Sequence, residues 1–281
     1  MDNLANKTTR GDKMKIENKV SLDELVAAYS DIVTVDAKYK SISSKDIKEY
    51  TDEIARCREV INKSEVELAS ATPSEYDINN FEKLIDAINE SGKYHFNMST
   101  FFYEGDGSIY ERNGSIRPSR HRVGYVAENI LNTDNKSFKC NSGACIAGFA
   151  SAIALDWDTS KTAFTEQVSN YEHWQHIACH FLNIPHAVGT RIFFADGGSI
   201  WSYLKPRINF FSSLEWGEDC DYEVDYGSID EYEYEDLSVS LGSIDYQHAV
   251  KALTMIKKGE LSFDKDSNPF LTDLCVEWVK E

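Results

Sequence analysis

The sequence predicts a predominantly helical α+β protein, with a small N-terminal helical unit followed by a mixed core, and three observations predict it. Apolar residues recur at spacings of three and four through residues 21–91. That period vanishes between Tyr94 and Lys139, where "GDGS" and "RNGS" mark turns. It returns over residues 143–155 and 160–182, and again after Ser243.

Taken in order, residues 1–20 are polar and without period, and read as a mobile tail. Ser21 followed three residues later by Glu24 has the form of a capping box, in which hydroxyl and carboxylate satisfy the orphan amides of a helix start. Leu22, Leu25, Val26 and Tyr29 then supply an apolar stripe. Ile47, Tyr50, Ile54, Cys57 and Ile61 predict a second helix. Ile78, Phe81, Leu84, Ile85 and Ile88 predict a third, ending before Gly92. Short strands and loops are expected from residue 94 to 139. A helix should start near Gly143 with Ser142 as its cap, and another should run from near Ser160 to Leu182, closed by Asn183 and Pro185. The last helix begins after Ser243 and stops at Gly259, with Lys257 and Lys258 complementing its dipole. The expected organisation is a tail (1–20), a helical unit (21–92) and a mixed α+β core (93–281).

Composition excludes several function classes. The 281 residues are 42% hydrophobic and 12% aromatic, enough to fill a sizeable core. The longest uncharged apolar stretch, Ala144 to Leu155, is shorter than the roughly 20 residues a membrane span needs. Residues 1–20 carry no apolar segment of the signal-peptide kind, so a cytoplasmic location is the default expectation. Six scattered cysteines do not make a disulfide scaffold. A net charge of −18 opposes direct binding to nucleic acid phosphates or anionic lipid, and leaves a basic partner or mimicry of nucleic acid open.

At "CNSGACIAGFA" (140–150) the chain resembles an uncharacterised bacterial and phage protein family with a C-G-T-x-x-C-[IL]-A-G-x-A signature. The likeness continues in "FNMSTFF", "HIACHFLNIP", "RIFF" and "SIDYQHAVKALTMIKKGE", over roughly residues 95–260. Asn141 and Ser142 stand where Gly and Thr are usual. The resemblance implies a phage or bacterial accessory protein, residing in the host cytoplasm if phage-encoded, and brings no established activity with it.

Four groups of residues are candidates for function. Cys145 at the start of a helix has the setting that lowers a thiol's pKa. It also lies among Ala147, Gly148, Ala150, Ser151 and Ala152, small residues that let a neighbouring helix approach, and packing is the preferred reading. His173, His176 and His180 share one face of a helix, whose opposite face carries Phe164, Val168, Tyr171, Ala178 and Phe181. They read as a polar helix surface, and as the source of a base if Cys145 is a nucleophile. Ile177 stands where a zincin needs its glutamate, and the thiols lack a second close pair, so no metal is expected.

The third group is acidic. Eleven carboxylates lie between Glu215 and Asp236, among them Glu215, Glu218, Asp219, Asp221, Glu223 and Asp225, and no Lys or Arg occurs between Arg207 and Lys251. Such a segment suits a charged strand edge or a docking surface for a basic protein. The fourth is "ERNGSIRPSRHR", where Arg117, Arg120 and Arg122 could clasp an anion or pair with the acidic segment. No phosphate loop or nucleophile elbow is present, and no cofactor is expected. The expectation is therefore an accessory protein that binds a basic partner through an acidic surface. The alternative is a cysteine-dependent hydrolase or acyl transferase using Cys145 with one of the three histidines.

Overall fold

The computed structural model describes residues 19–38, 46–98, 102–104, 131–138, 142–158, 171–194, 198–204 and 244–272. Among these are helices α1 (Leu22–Lys38), α2 (Ile47–Ala69), α3 (Ile78–His95), α4 (Ile146–Ala154), α5 (Tyr171–Leu182), α6 (His186–Phe193), α7 (Ile200–Leu204) and α8 (Tyr246–Lys257). Strands β1 (Phe102–Glu104), β2 (Leu131–Asn132), β3 (Ser137–Phe138), β4 (Ser142–Ala144), β5 (Leu261–Phe263) and β6 (Pro269–Leu271) pair antiparallel as β1–β4, β2–β3 and β5–β6. The fold is predominantly helical α+β, as the periodicity requires.

The capping box forms as read. The Ser21 amide donates to the Glu24 carboxylate at 2.8 Å, and the Glu24 amide donates to Ser21 Oγ at 3.2 Å. Leu25, Val26 and Tyr29 are buried along α1, and Ile54, Cys57 and Leu68 along α2. Asp77 caps α3 by accepting from the Asn80 amide. This helix continues through Gly92 instead of ending before it. A Cβ on Gly92 would stand 2.7 Å from Cβ of Tyr246, so the missing side chain lets α8 lie close against α3. The glycine is used for packing and not as a stop.

A second boundary also differs. Residues 142–144 do not begin a helix. They form β4, in register with Phe102, Tyr103 and Glu104, and the Ala144 carbonyl accepts from the Asn97 amide at 3.0 Å. A Cβ on Gly143 would collide with the His95 carbonyl oxygen, so the strand lies directly on the end of α3. Pairing with β1, and at Ala144 also with the segment just after α3, holds 142–144 extended, and α4 starts only at Ile146 with Cys145 in extended conformation as its cap.

Helix α5 ends where expected. Asn183 takes a left-handed φ of 52°, and the Ile184 amide donates to the Cys179 carbonyl. Its expected start near Ser160 lies outside the described residues. For α8, Asp245 accepts from the amides of Gln247 and His248, and Gly259 closes the helix at φ 73°. Lys257 reaches Glu82 on α3 at 2.7 Å. One buried cluster runs from Val20 through Phe81, Phe149, Ile177 and Trp201 to Phe263. Within the described residues no helix is long and apolar enough to cross a membrane.

Candidate functional site

Cys145 is 2% exposed. Burial pushes its thiol up to about 11, outweighing the Gly148 and Ala147 amides that favour the thiolate at this helix end. Its side chain makes no capping hydrogen bond. The residues after it, Ile146 to Ala152, are all buried, as expected of a helix whose small side chains admit a close neighbour. That neighbour is α5, to which α4 is tied by Ser151 Oγ donating to the Trp174 carbonyl at 3.0 Å.

The histidine face of α5 corrects the expectation of a polar helix surface. His176 is 1% exposed, because α1 and α2 cover it. Tyr29 Oη on α1 lies 2.7 Å from its Nδ1, and Ser64 Oγ on α2 lies 3.1 Å from its Nε2. Hydroxyls can donate or accept, so either neutral tautomer is satisfied and the polar ring can be buried. Burial, with the nearby imidazoles of His186, His180 and His173 adding to it, holds His176 down at about 3.

One turn further, His180 Nε2 donates to the Val20 carbonyl at 3.0 Å, and burial lowers its pKa despite that bond. The His173 ring lies 4.2 Å from the Tyr29 ring, and the His186 ring 6.2 Å from that of His176. Beside them Gln175 Nε2 donates to Thr190 Oγ1 at 2.7 Å, joining α5 to α6.

Both ring nitrogens of His176 and Nε2 of His180 are thus directed to Tyr29, Ser64 and Val20, and not to the sulfur of Cys145. Sequence reasoning missed Tyr29, Ser64 and His186 as members of this cluster. A signal was available for Ser64: it interrupts the stripe Cys57, Ile61, Leu68 at helical spacing, and a hydroxyl on a buried face needs a partner. His180 also lines an open cleft of about 620 Å³ with Lys19, Leu22, Tyr76, Asp77 and Asn80. No group of three or more His, Cys, Asp or Glu side chains among the described residues is placed to hold a metal ion.

A further histidine is tied at the start of α8. Nδ1 of the buried His248 lies 2.7 Å from the Asp245 carboxylate. Burial raises the pKa of Asp245, but the hydrogen bonds from His248 outweigh it and the net direction is down. The remaining candidates, Arg117, Arg120, Arg122, Glu215, Glu218, Asp219, Asp221, Glu223 and Asp225, lie outside the described residues.

The fold and the histidine seam define a helical α+β protein with a polar network centred on the buried His176. No protein-family model, curated protein or solved structure matches the chain.

Proposed function

We propose that the protein acts by binding a basic protein partner through its acidic surface, as an accessory protein of a bacterium or phage, and not by cysteine chemistry. The burial of Cys145 carries the choice between the two readings. A nucleophile must meet its substrate and ionise near neutral pH, whereas this thiol is 2% exposed and pushed up to about 11. With the thiol assigned to packing, the strongest remaining chemical feature is charge, −18 overall with eleven carboxylates in 22 residues. Association with a basic protein relieves such a field and is steered by it.

The test is capture from bacterial lysate on the immobilised full chain, parent against a variant carrying Glu218→Gln, Asp219→Asn, Asp221→Asn and Glu223→Gln. Basic proteins should be retained by the parent, released as salt rises past about 0.15 M, and lost from the variant. Recovery of the same proteins by both chains overturns the reading. A hydrolase or acyl-transferase activity abolished by Cys145→Ser would establish the alternative in its place.

A further inference from the structure

The polar ties of helices α1 and α2 to α5 run through its imidazoles, beside the apolar core they share with it. His176 holds both helices at once, through Tyr29 on α1 and Ser64 on α2. His180 holds the Val20 carbonyl just before α1, and the Val20 amide in turn donates to the Glu67 carboxylate of α2 at 3.0 Å. Beyond the seam, Leu25, Val26 and Leu68 of these helices belong to the main buried cluster, while Val35 and Ile54 form a small cluster apart from it. The α3–α8 pair is packed through Gly92 and Tyr246.

We propose that this seam is an acid-sensitive latch: protonation of His176 and His180 releases the α1–α2 pair from α5 while the core around α3, α4 and α8 stays closed. A neutral His176 uses one nitrogen as donor and one as acceptor. Once charged, both nitrogens donate, and whichever hydroxyl had donated to the ring must turn its proton elsewhere. The charge also sits out of water and beside other imidazoles, a setting that opening relieves.

The groups facing the seam decide the sign. From α1 comes Tyr29, and from α2 come Ser64 and the Glu67 carboxylate, which favours charge on His180. His173 on α5 and His186 on α6 oppose charge on His176, and Lys19 opposes it on His180. Helix α4 presents the neutral Ser151. Glu75 and Asp77 line the same cleft as His180. Desolvation is the largest influence on both rings and disfavours charge in the closed state.

The latch is tested by hydrogen exchange of the full chain followed by mass spectrometry between pH 4.5 and 7.5, corrected for the intrinsic pH dependence of amide exchange. For α1 and α2 the opening constant should rise about tenfold per pH unit below 6.5 for each histidine that charges on opening. Peptides of α8 should show no such rise. His176→Gln keeps a donor and an acceptor without a titratable ring, and should reduce the slope by about one factor of ten per unit. Should that variant fail to fold, His180→Gln decides with the same expectation. Equal slopes in α1–α2 and α8 would mean global unfolding and overturn the latch. A slope unchanged in the folded variants would overturn it as well.

Discussion

Tyr29 and His176 stand 147 residues apart in the chain, and their side chains meet at 2.7 Å inside the protein. The contact fixes α1 to α5 by a hydrogen bond that no water can replace while both groups are buried. Tyr29→Phe keeps the ring and its packing but leaves one imidazole nitrogen without this partner. The expected cost is about 1–3 kcal/mol, read as a lower urea midpoint at pH 7 with an unchanged slope. A midpoint equal to the parent's would show that the hydroxyl contributes nothing.

Global stability should fall as the solution is acidified. His176 is held at about 3 when folded, against 6.5 for an unperturbed imidazole. The unfolded chain therefore binds a proton between these values that the folded chain refuses. Stability is fully present above about pH 6.5 and is lost as pH falls toward 3, by up to about 1.4 kcal/mol per unit from this residue alone. His180 acts in the same direction. Urea midpoints at pH 7, 6 and 5 should decrease in that order, and His176→Gln should flatten the trend.

Cys145 should react slowly. Under native conditions at pH 7.5, iodoacetamide is expected to modify it at a small fraction of the rate in denatured protein, because the thiol is both buried and protonated. Peptide mapping distinguishes it from the other cysteines. Rapid native labelling at that site would contradict its place in the core.

Gly92→Ala should destabilise despite the better helix propensity of alanine, which is worth about 1 kcal/mol. The added methyl would stand 2.7 Å from Cβ of Tyr246, so α3 and α8 must separate. The net loss is expected to reach about 1–3 kcal/mol, visible as a lower Tm. A raised Tm would place the two helices further apart than described.

Much of the fold was legible because helical starts and stops are written locally. The Ser21–Glu24 box, the left-handed Asn183 and Gly259 all act within a turn of where they stand. Two boundaries were not legible. Gly92 reads as a stop, and Ser142 as a cap, when only neighbours in sequence are considered. In space one glycine admits Tyr246, and the strand beside Ser142 is claimed by residues 102–104.

The candidate site divides in the same way. Sequence placed Cys145 among small residues and put three histidines on one face of α5, which needs only helical periodicity. Sequence by itself determined the helical α+β class, the Ser21–Glu24 box, the −18 charge and the apolar stripes, since these follow from residue types at short spacings. Whether the histidine face meets water or protein is a long-range matter. The tertiary structure decided it by laying Tyr29 and Ser64 over His176, because a polar ring can be buried only where both of its nitrogens find partners.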